Sequence, residues 1–315
     1  MPLRFTLRQL DYFVAVGECG SIAQAAERLA ISSPSISAAI AQLEAEFGLQ
    51  LFVRRHAHGL TLTQGGARLL ERAKALLHEA GGLNELANAI TGAVRGPLNV
   101  GCLATMAPLV LPRLRRSFVD RYPAVAFRQY ERDQAEIFEA LRSARLDVAL
   151  TYDLDVPAGL EFVPLVDLPP FALLGDGHPL AGRASVTPAE LAEHPMVLLD
   201  LPMSADYFLS FFRGAGVAPR IVERTRDMAV MRSLVANGFG YSLANIRPRT
   251  GISPDGRPLS FVPLVGTVRT LSLGLLLAEG AGAIGTIRAF VEHARAEITA
   301  ERLPGLGGAP VTPRR

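Results

Sequence analysis

The sequence predicts an α+β multidomain chain: an N-terminal winged helix-turn-helix, a long linker helix and a C-terminal domain of two α/β lobes. Three observations carry that prediction. Two short helical patterns meet at a tight turn within residues 21–44, a seven-residue apolar repeat runs through residues 64–91, and strand and helix patterns alternate from there to residue 302. At 315 residues, 49% of them hydrophobic and 20% charged, the chain is long enough for two or three domains with buried cores.

A first helix over Leu7 to Gly17 supplies Leu10, Phe13, Val14 and Val16 to a small core. In the segment Ser21 to Glu44, Ala25 and Ala26 let two helices approach closely, while Leu29, Ile31, Ile36, Ile40 and Leu43 recur at inward positions. Ser32 is a good N-cap for the second of these helices, and Pro34 lies in its first turn, where a missing N–H does no harm. Ser32, Ser33, Pro34, Ser35, Ser37 and Ala38 then form the end that a recognition helix presents to the major groove. After Gly48 the stretch Leu51 to Thr63 alternates like a short hairpin with a basic tip, Arg54, Arg55 and His56, and is the expected wing.

Charge locates the expected DNA contact rather than proving it. The net charge of +2 gives no general polyanion signal. Within residues 1–91 the basic and acidic side chains balance, yet Arg54, Arg55, Arg68, Arg72 and Lys74 face only Glu71 between them. Lys74 is the only lysine, so arginines are expected to make nearly all phosphate contacts.

These motifs together, Leu10-x-x-Phe13, Gly20-Ser21-x-x-x-Ala25-Ala26, Ser32-x-Pro34-x-x-Ser37, Ile40-x-x-Leu43-Glu44, Gly48-x-x-Leu51-Phe52-x-Arg54 and Leu62-Thr63, resemble the N-terminal region of LysR-type transcriptional regulators. The resemblance covers roughly the first 70 residues by motif. It implies a dimer, assembling into a tetramer, that binds an interrupted inverted repeat in double-stranded DNA near a promoter. It also implies RNA polymerase as a partner, a small-molecule effector, and DNA bending that changes when the effector binds. One departure stands out: many members carry a basic or amide pair after the recognition-helix serine, whereas Ala38 and Ala39 follow Ser37 here. Specificity is therefore expected from the serines, from alanine methyl contacts and from shape readout through Arg54 and Arg55.

From Gln64 to Thr91 a long helix is expected, with Leu69, Leu76, Leu83 and Ile90 seven residues apart and Ala73, Ala80 and Ala87 four residues after the first three. That is a coiled-coil seam, and it assigns these leucines and Ile90 to dimerisation. Gly81 and Gly82 each cost the helix about 1 kcal/mol relative to Ala and suggest a bend. Residues 92–96, before Pro97, break the helix and form a hinge.

Leu98–Cys102, Ala124–Tyr130 and Asp147–Thr151 read as strands separated by helices near Pro108–Tyr122 and Ile137–Ser143, an opening that calls for a parallel sheet. Strands at Glu161–Val166, Ala172–Leu174, Met196–Leu199 and Arg220–Glu223 and helices near Pro188–Glu193, Ala205–Arg213 and Asp227–Ala236 suggest a second sheet. The chain then returns through Leu271–Leu277 to a final helix over Ala283–Ala300. Two lobes joined by two crossings resemble a periplasmic-binding-protein-like fold. The expected division is a winged domain over 1–63, a dimerisation helix over 64–91, a hinge over 92–96 and an effector-binding domain over 97–302. Within the last, lobe I takes about 97–165 and 268–302 and lobe II about 166–267. Residues 303–315, rich in Pro and Gly, read as a disordered tail.

In such a fold a small ligand sits between the lobes, at strand ends and helix N-termini. The topology aims Thr105, Gln134, Thr151 and Tyr152 there from the first lobe, and Met203, Ser204, Thr225 and Arg226 from the second. Helix N-termini favour anions, and Arg132, Arg224 and Arg226 adjoin the same loops, which points to a small organic carboxylate. Tyr130, Tyr152, Tyr207 and Phe239 suggest an aromatic one, although core packing is the ordinary explanation for each.

Other function classes find less support. Gly240-Tyr241-Ser242-Leu243-Ala244 nearly matches a nucleophile elbow, but His178 and His194 both precede the serine, the reverse of the order that fold requires. His56-x-His58 has no further ligand at metal spacing, and no phosphate-binding glycine loop occurs, so neither a metal nor a cofactor is expected. Without a leader-like start or a membrane-length apolar run, the expected location is the cytoplasm. Cys19 and Cys102 fall in different expected domains and read as reduced thiols; a redox-sensing role is the minor alternative. A constitutive architectural DNA-binding protein and a solute-binding module are the competing functions.

Overall fold

A computed structural model describes residues 4–55, 59–91 and 93–302, in two compact units divided between residues 92 and 93. The N-terminal unit opens on α1 (Leu7–Cys19), started by a capping box: the Thr6 hydroxyl accepts from the Gln9 N–H, and the Gln9 side chain accepts from the Thr6 N–H. α2 (Ile22–Leu29) ends at Ala30 in the left-handed region (φ 55°), and α3 (Ser33–Phe47) follows, capped by the Ser32 hydroxyl accepting from the Ser35 N–H. Leu10, Phe13, Val16, Ala25, Ile36 and Leu43 close the core between the three helices. Burial of each large apolar side chain contributes about 1.5–3 kcal/mol. Val14 packs partly buried against the same core, as expected, and Ala15 is buried beside it.

The wing is an antiparallel pair, β1 (Phe52–Arg55) and β2 (Gly59–Leu62). Glu44, near the end of α3, ties it down: its carboxylate accepts the Leu51 N–H at 2.7 Å and the Phe52 N–H at 3.4 Å. On the other flank the Thr63 hydroxyl accepts from the Gly66 N–H and donates to the Gln50 carbonyl. Gly66 packs so closely on the Leu51 carbonyl that a Cβ would collide with the backbone there.

α4 (Gln64–Thr91) runs without interruption. Its first turns bury Leu70 and Ala73 against α1, with Leu69 and Leu77 partly covered by the same core. Leu69 thus serves the winged domain, while Leu76 and Leu83 are left 39% and 71% exposed at heptad spacing. The Ile90 side chain lies outside the described residues.

In the second unit β3 (Gly96–Leu103), α5 (Ala107–Arg121), β4 (Val125–Arg132), α6 (Gln134–Arg142) and β5 (Val148–Tyr152) form the expected parallel start. The sheet is completed by β6 (Leu160–Leu168) and, after a long excursion, β12 (Leu271–Ala278), in the order β4-β3-β5-β12-β6. β12 is antiparallel to both neighbours and almost wholly buried, which explains its continuous apolar run. α10 (Gly285–Glu297), shorter than expected because a 3₁₀ turn at Ala281–Ala283 precedes it, packs on α5 through Phe290 and Phe118 and through a 2.7 Å bond between Ser117 and His293.

The excursion builds the other lobe. β7 (Phe171–Gly175) is flanked by β10 (Ser242–Ala244) and β11 (Leu259–Pro263), and β8 (Pro195–Leu199) pairs in parallel with β9 (Arg220–Thr225). A bridge from Met196 to Tyr241 joins the two sets. Gly240 makes that join possible: at φ 152° it lies against the Pro195 carbonyl, where a side chain has no room. α7 (Pro188–Ala192), α8 (Ser204–Gly214) and α9 (Met228–Ala236) cover this sheet. β11 was not foreseen, being short and closed by a proline.

Candidate DNA and effector sites

α3 has two unlike faces. Ile36, Ala39, Ile40 and Leu43 are buried, while Ser35, Ser37 and Ala38 are exposed and Ser33 is half-buried. Ser32 and Ser35 also share a 2.8 Å hydroxyl contact, so part of the polar end is already organised before any DNA arrives. Pro34 is exposed at the helix start. Arg54 and Arg55 are on β1, but their side chains, and all of His56, lie outside the described residues.

The expected cluster of free cations is thinner than the sequence implies. Lys74 is mostly covered and lies 3.4 Å from Glu18 and 3.9 Å from Glu71. Arg28 also pairs with Glu18, at 2.7 Å. Arg68 and Arg72 remain exposed on α4 beside the wing.

The effector candidates separate into two groups. Gln134 and Thr151 are buried and bonded to one another, and the Gln134 amide also donates to the Tyr152 and Leu154 carbonyls. They lock the start of α6 to the end of β5, which corrects their expected exposure to a ligand: polar side chains that satisfy each other are stable out of water. The Tyr152 ring is buried too, and burial pushes its phenol well above the ordinary range. Thr105 is half-buried in the turn before α5.

On the second lobe, Met203 has φ 64° and ψ −40°, and the Ser204 N–H reaches back to the Pro202 carbonyl at 2.7 Å. This is a γ-turn, a strained conformation that tends to occur at functional sites. Thr225 accepts from the Asp227 N–H. Arg226 is exposed and reaches the other lobe: its guanidinium is 3.8 Å from the carboxylate of Asp133, the N-cap of α6. Arg224 instead pairs within its own lobe with Asp200, and Arg132 lies over the Tyr130 ring.

Sequence reasoning missed the groups that hold the crossings between lobes. The Tyr207 hydroxyl donates to the Arg269 carbonyl at 2.6 Å, and Asn245 donates to both Tyr207 and the Leu168 carbonyl. Arg269 in turn binds Asp153, whose carboxylate also accepts from the Ser272 N–H. Tyr207, read as a candidate ligand contact, is thus a brace between the two crossing segments. No periodicity marks such residues.

Ser242 is buried with an unpartnered hydroxyl, so the elbow-like motif exposes no nucleophile. Among the described residues no group of three or more potential metal ligands occurs, and no helix is long and apolar enough to cross a membrane.

A winged helix-turn-helix joined to a two-lobed α/β domain defines a DNA-binding protein with a small-molecule sensing module. Residues 7–74 match the profile of the bacterial regulatory helix-turn-helix protein, lysR family, and residues 91–299 that of the LysR substrate binding domain. The chain belongs to the LysR family and is a DNA-binding transcriptional regulator with an effector-binding domain, not an enzyme. It is 32% identical over 243 residues to the HTH-type transcriptional regulator BsdA of Bacillus subtilis, covering 75% of this chain and 82% of that protein. HinK, a LysR family transcriptional regulator from Pseudomonas aeruginosa, has a solved structure 37% identical, with a TM-score of 0.62 over 94% of this chain and 99% of that one. A structure of full-length CbnR complexed with its target DNA is 27% identical, with a TM-score of 0.63 over 93% and 99% of the two chains.

Proposed function

We propose that this regulator responds to a small organic carboxylate bound between its lobes, with Arg226 as the carboxylate-binding group. The observation that carries the reading is the Asp133–Arg226 contact, an ion pair that joins the two lobes. A ligand carboxylate offers Arg226 a better-matched, bidentate partner than a side chain 3.8 Å away. Thr105, in the turn after β3, and Met203 and Ser204, at the start of α8, are the further ligand contacts of this reading, and occupancy shifts the population of lobe arrangements.

At the other end, Ser33, Ser35, Ser37 and Ala38 read base edges from the exposed face of α3, and Arg54, Arg55, His56, Arg68 and Arg72 contact phosphate. The DNA-bound structure of CbnR, a protein of the same build, supports duplex DNA as the partner. The exposed Leu76 and Leu83, with Ile90 in the same repeat, supply the dimer seam that sets two such heads on an interrupted inverted repeat, and pairs of dimers form the tetramer. RNA polymerase at the promoter and a cytoplasmic location complete the reading, with residues 1–63, 64–91 and 97–302 as its working parts.

Footprinting of DNA upstream of the protein's own gene, with and without a panel of small carboxylates, tests it. Protection of a dyad whose extent changes with one compound, and no longer changes in Arg226→Gln, is the expected result. Protection that every carboxylate leaves untouched removes the effector half, and no protection at moderate salt removes the DNA half.

A further inference from the structure

A cavity of about 430 Å³ lies where α5, the end of α10 and the segment after β10 meet, and none of the effector candidates lines it. Its size is that of a small-molecule site, for which roughly 300–1,000 Å³ is usual. Leu109, Leu114, Pro248 and Ile298 give it apolar walls. Arg113, Arg249 and Arg302 surround it, with Glu297 as the one lining carboxylate. That carboxylate is already shared, 2.5 Å from Arg302 and 3.9 Å from Arg113. Arg249 has no ion-pair or hydrogen-bond partner among the described residues. Three guanidinium groups against one carboxylate leave a surplus of positive charge beside apolar surface. α5 also begins here, at Ala107, with no side-chain cap.

We propose that this cavity is a second ligand site, distinct from the interlobe cleft, for an amphipathic organic anion: a flat or branched apolar body against Leu109, Leu114 and Ile298, and a carboxylate or sulfonate between Arg249 and Arg113. An anion there relieves the crowding of like charges, and its apolar part covers surface otherwise exposed to water. The two walls belong to different lobes, since α5 and α10 pack on the first sheet and Pro248 to Thr250 follow β10 of the second. An occupant therefore holds the lobes together from outside the cleft, and by reciprocity its affinity depends on what fills the cleft.

The fluorescent amphipathic anion 8-anilinonaphthalene-1-sulfonate, titrated into the full-length protein at low and high salt, tests the site. The expected result is a saturable, salt-sensitive binding component that weakens roughly tenfold or more in the Arg113→Gln/Arg249→Gln double variant. Arg249→Lys keeps part of it, and Arg226→Gln retains a saturable component even where its affinity shifts, which separates this site from the cleft. Far-UV circular dichroism checks the fold of each variant. Should the double variant prove unstable, Arg249→Gln alone, which breaks no described bond, gives the same comparison. Absence of a saturable component, a double variant that binds as the unmodified protein does, or loss of the component in Arg226→Gln overturns the proposal.

Discussion

Arg226 and Asp133 stand 3.8 Å apart, the guanidinium on the loop before α9 in one lobe and the carboxylate at the start of α6 in the other. The two partners do unequal work. Asp133 also accepts the Glu136 N–H at 3.0 Å as the N-cap of α6, whereas Arg226 is 71% exposed.

Asp133→Ala is accordingly expected to cost about 1 kcal/mol through loss of the cap. Arg226→Ala should change stability by well under about 1 kcal/mol, as exposed ion pairs do. Urea unfolding of the two variants measures the difference, and equal losses would show that the cap contributes nothing beyond the pair.

Glu44→Ala removes an acceptor from two backbone N–H groups at the root of the wing. A hydrogen bond to a charged group is worth about 1.5–3 kcal/mol, so the N-terminal unfolding transition should move to lower temperature. DNA affinity should fall alike for every sequence, because the wing is displaced and no base-reading group is lost. Calorimetry with binding to specific and random duplexes checks both, and a sequence-selective loss would refute the argument.

Burial pushes the Tyr207 phenol up to about 12 from an ordinary 10.0. The folded state then holds this proton more tightly than the unfolded one, so its contribution is complete below pH 10 and is lost as the pH rises towards 12. Stability of the intact protein should fall more steeply across that window than that of Tyr207→Phe. At neutral pH the variant should lose about 1 kcal/mol and show faster amide exchange in the segments around Leu168 and Arg269. Exchange confined to other segments would rule out a brace at the crossings.

Cys102 is fully buried on β3, and the loss of solvation pushes its thiol upward, away from the reactive thiolate. In the native protein an alkylating reagent or peroxide should modify the half-buried Cys19 first and reach Cys102 only after unfolding. Mass spectrometry of the labelled protein decides this; rapid native oxidation of Cys102 would restore the redox-sensing alternative.

What the sequence discloses depends on how local the physics is. Ser32 and Pro34 announce the start of α3 because capping and the missing proline N–H act within one turn. The unbroken apolar run of β12 announces a buried strand. Gln134 and Thr151 mislead for the opposite reason: each follows a strand or opens a helix, where a ligand contact is a fair reading, and only the packed fold shows that they face each other. Lys74 likewise reads as a phosphate contact until α1 brings Glu18 beside it. The brace of Tyr207, Asn245 and Arg269 joins residues far apart in the chain, and nothing periodic marks it.

The grip of Glu44 on the backbone of Leu51 and Phe52 has a mechanical consequence. Helix and wing share one joint and therefore one tilt, like two prongs of a fork cut from the same metal. A displacement of α3 therefore carries the root of the wing with it, so helix and hairpin move together. In the proposed dimer, control over promoter geometry then falls to the spacing between the two heads rather than to a change of shape within either one.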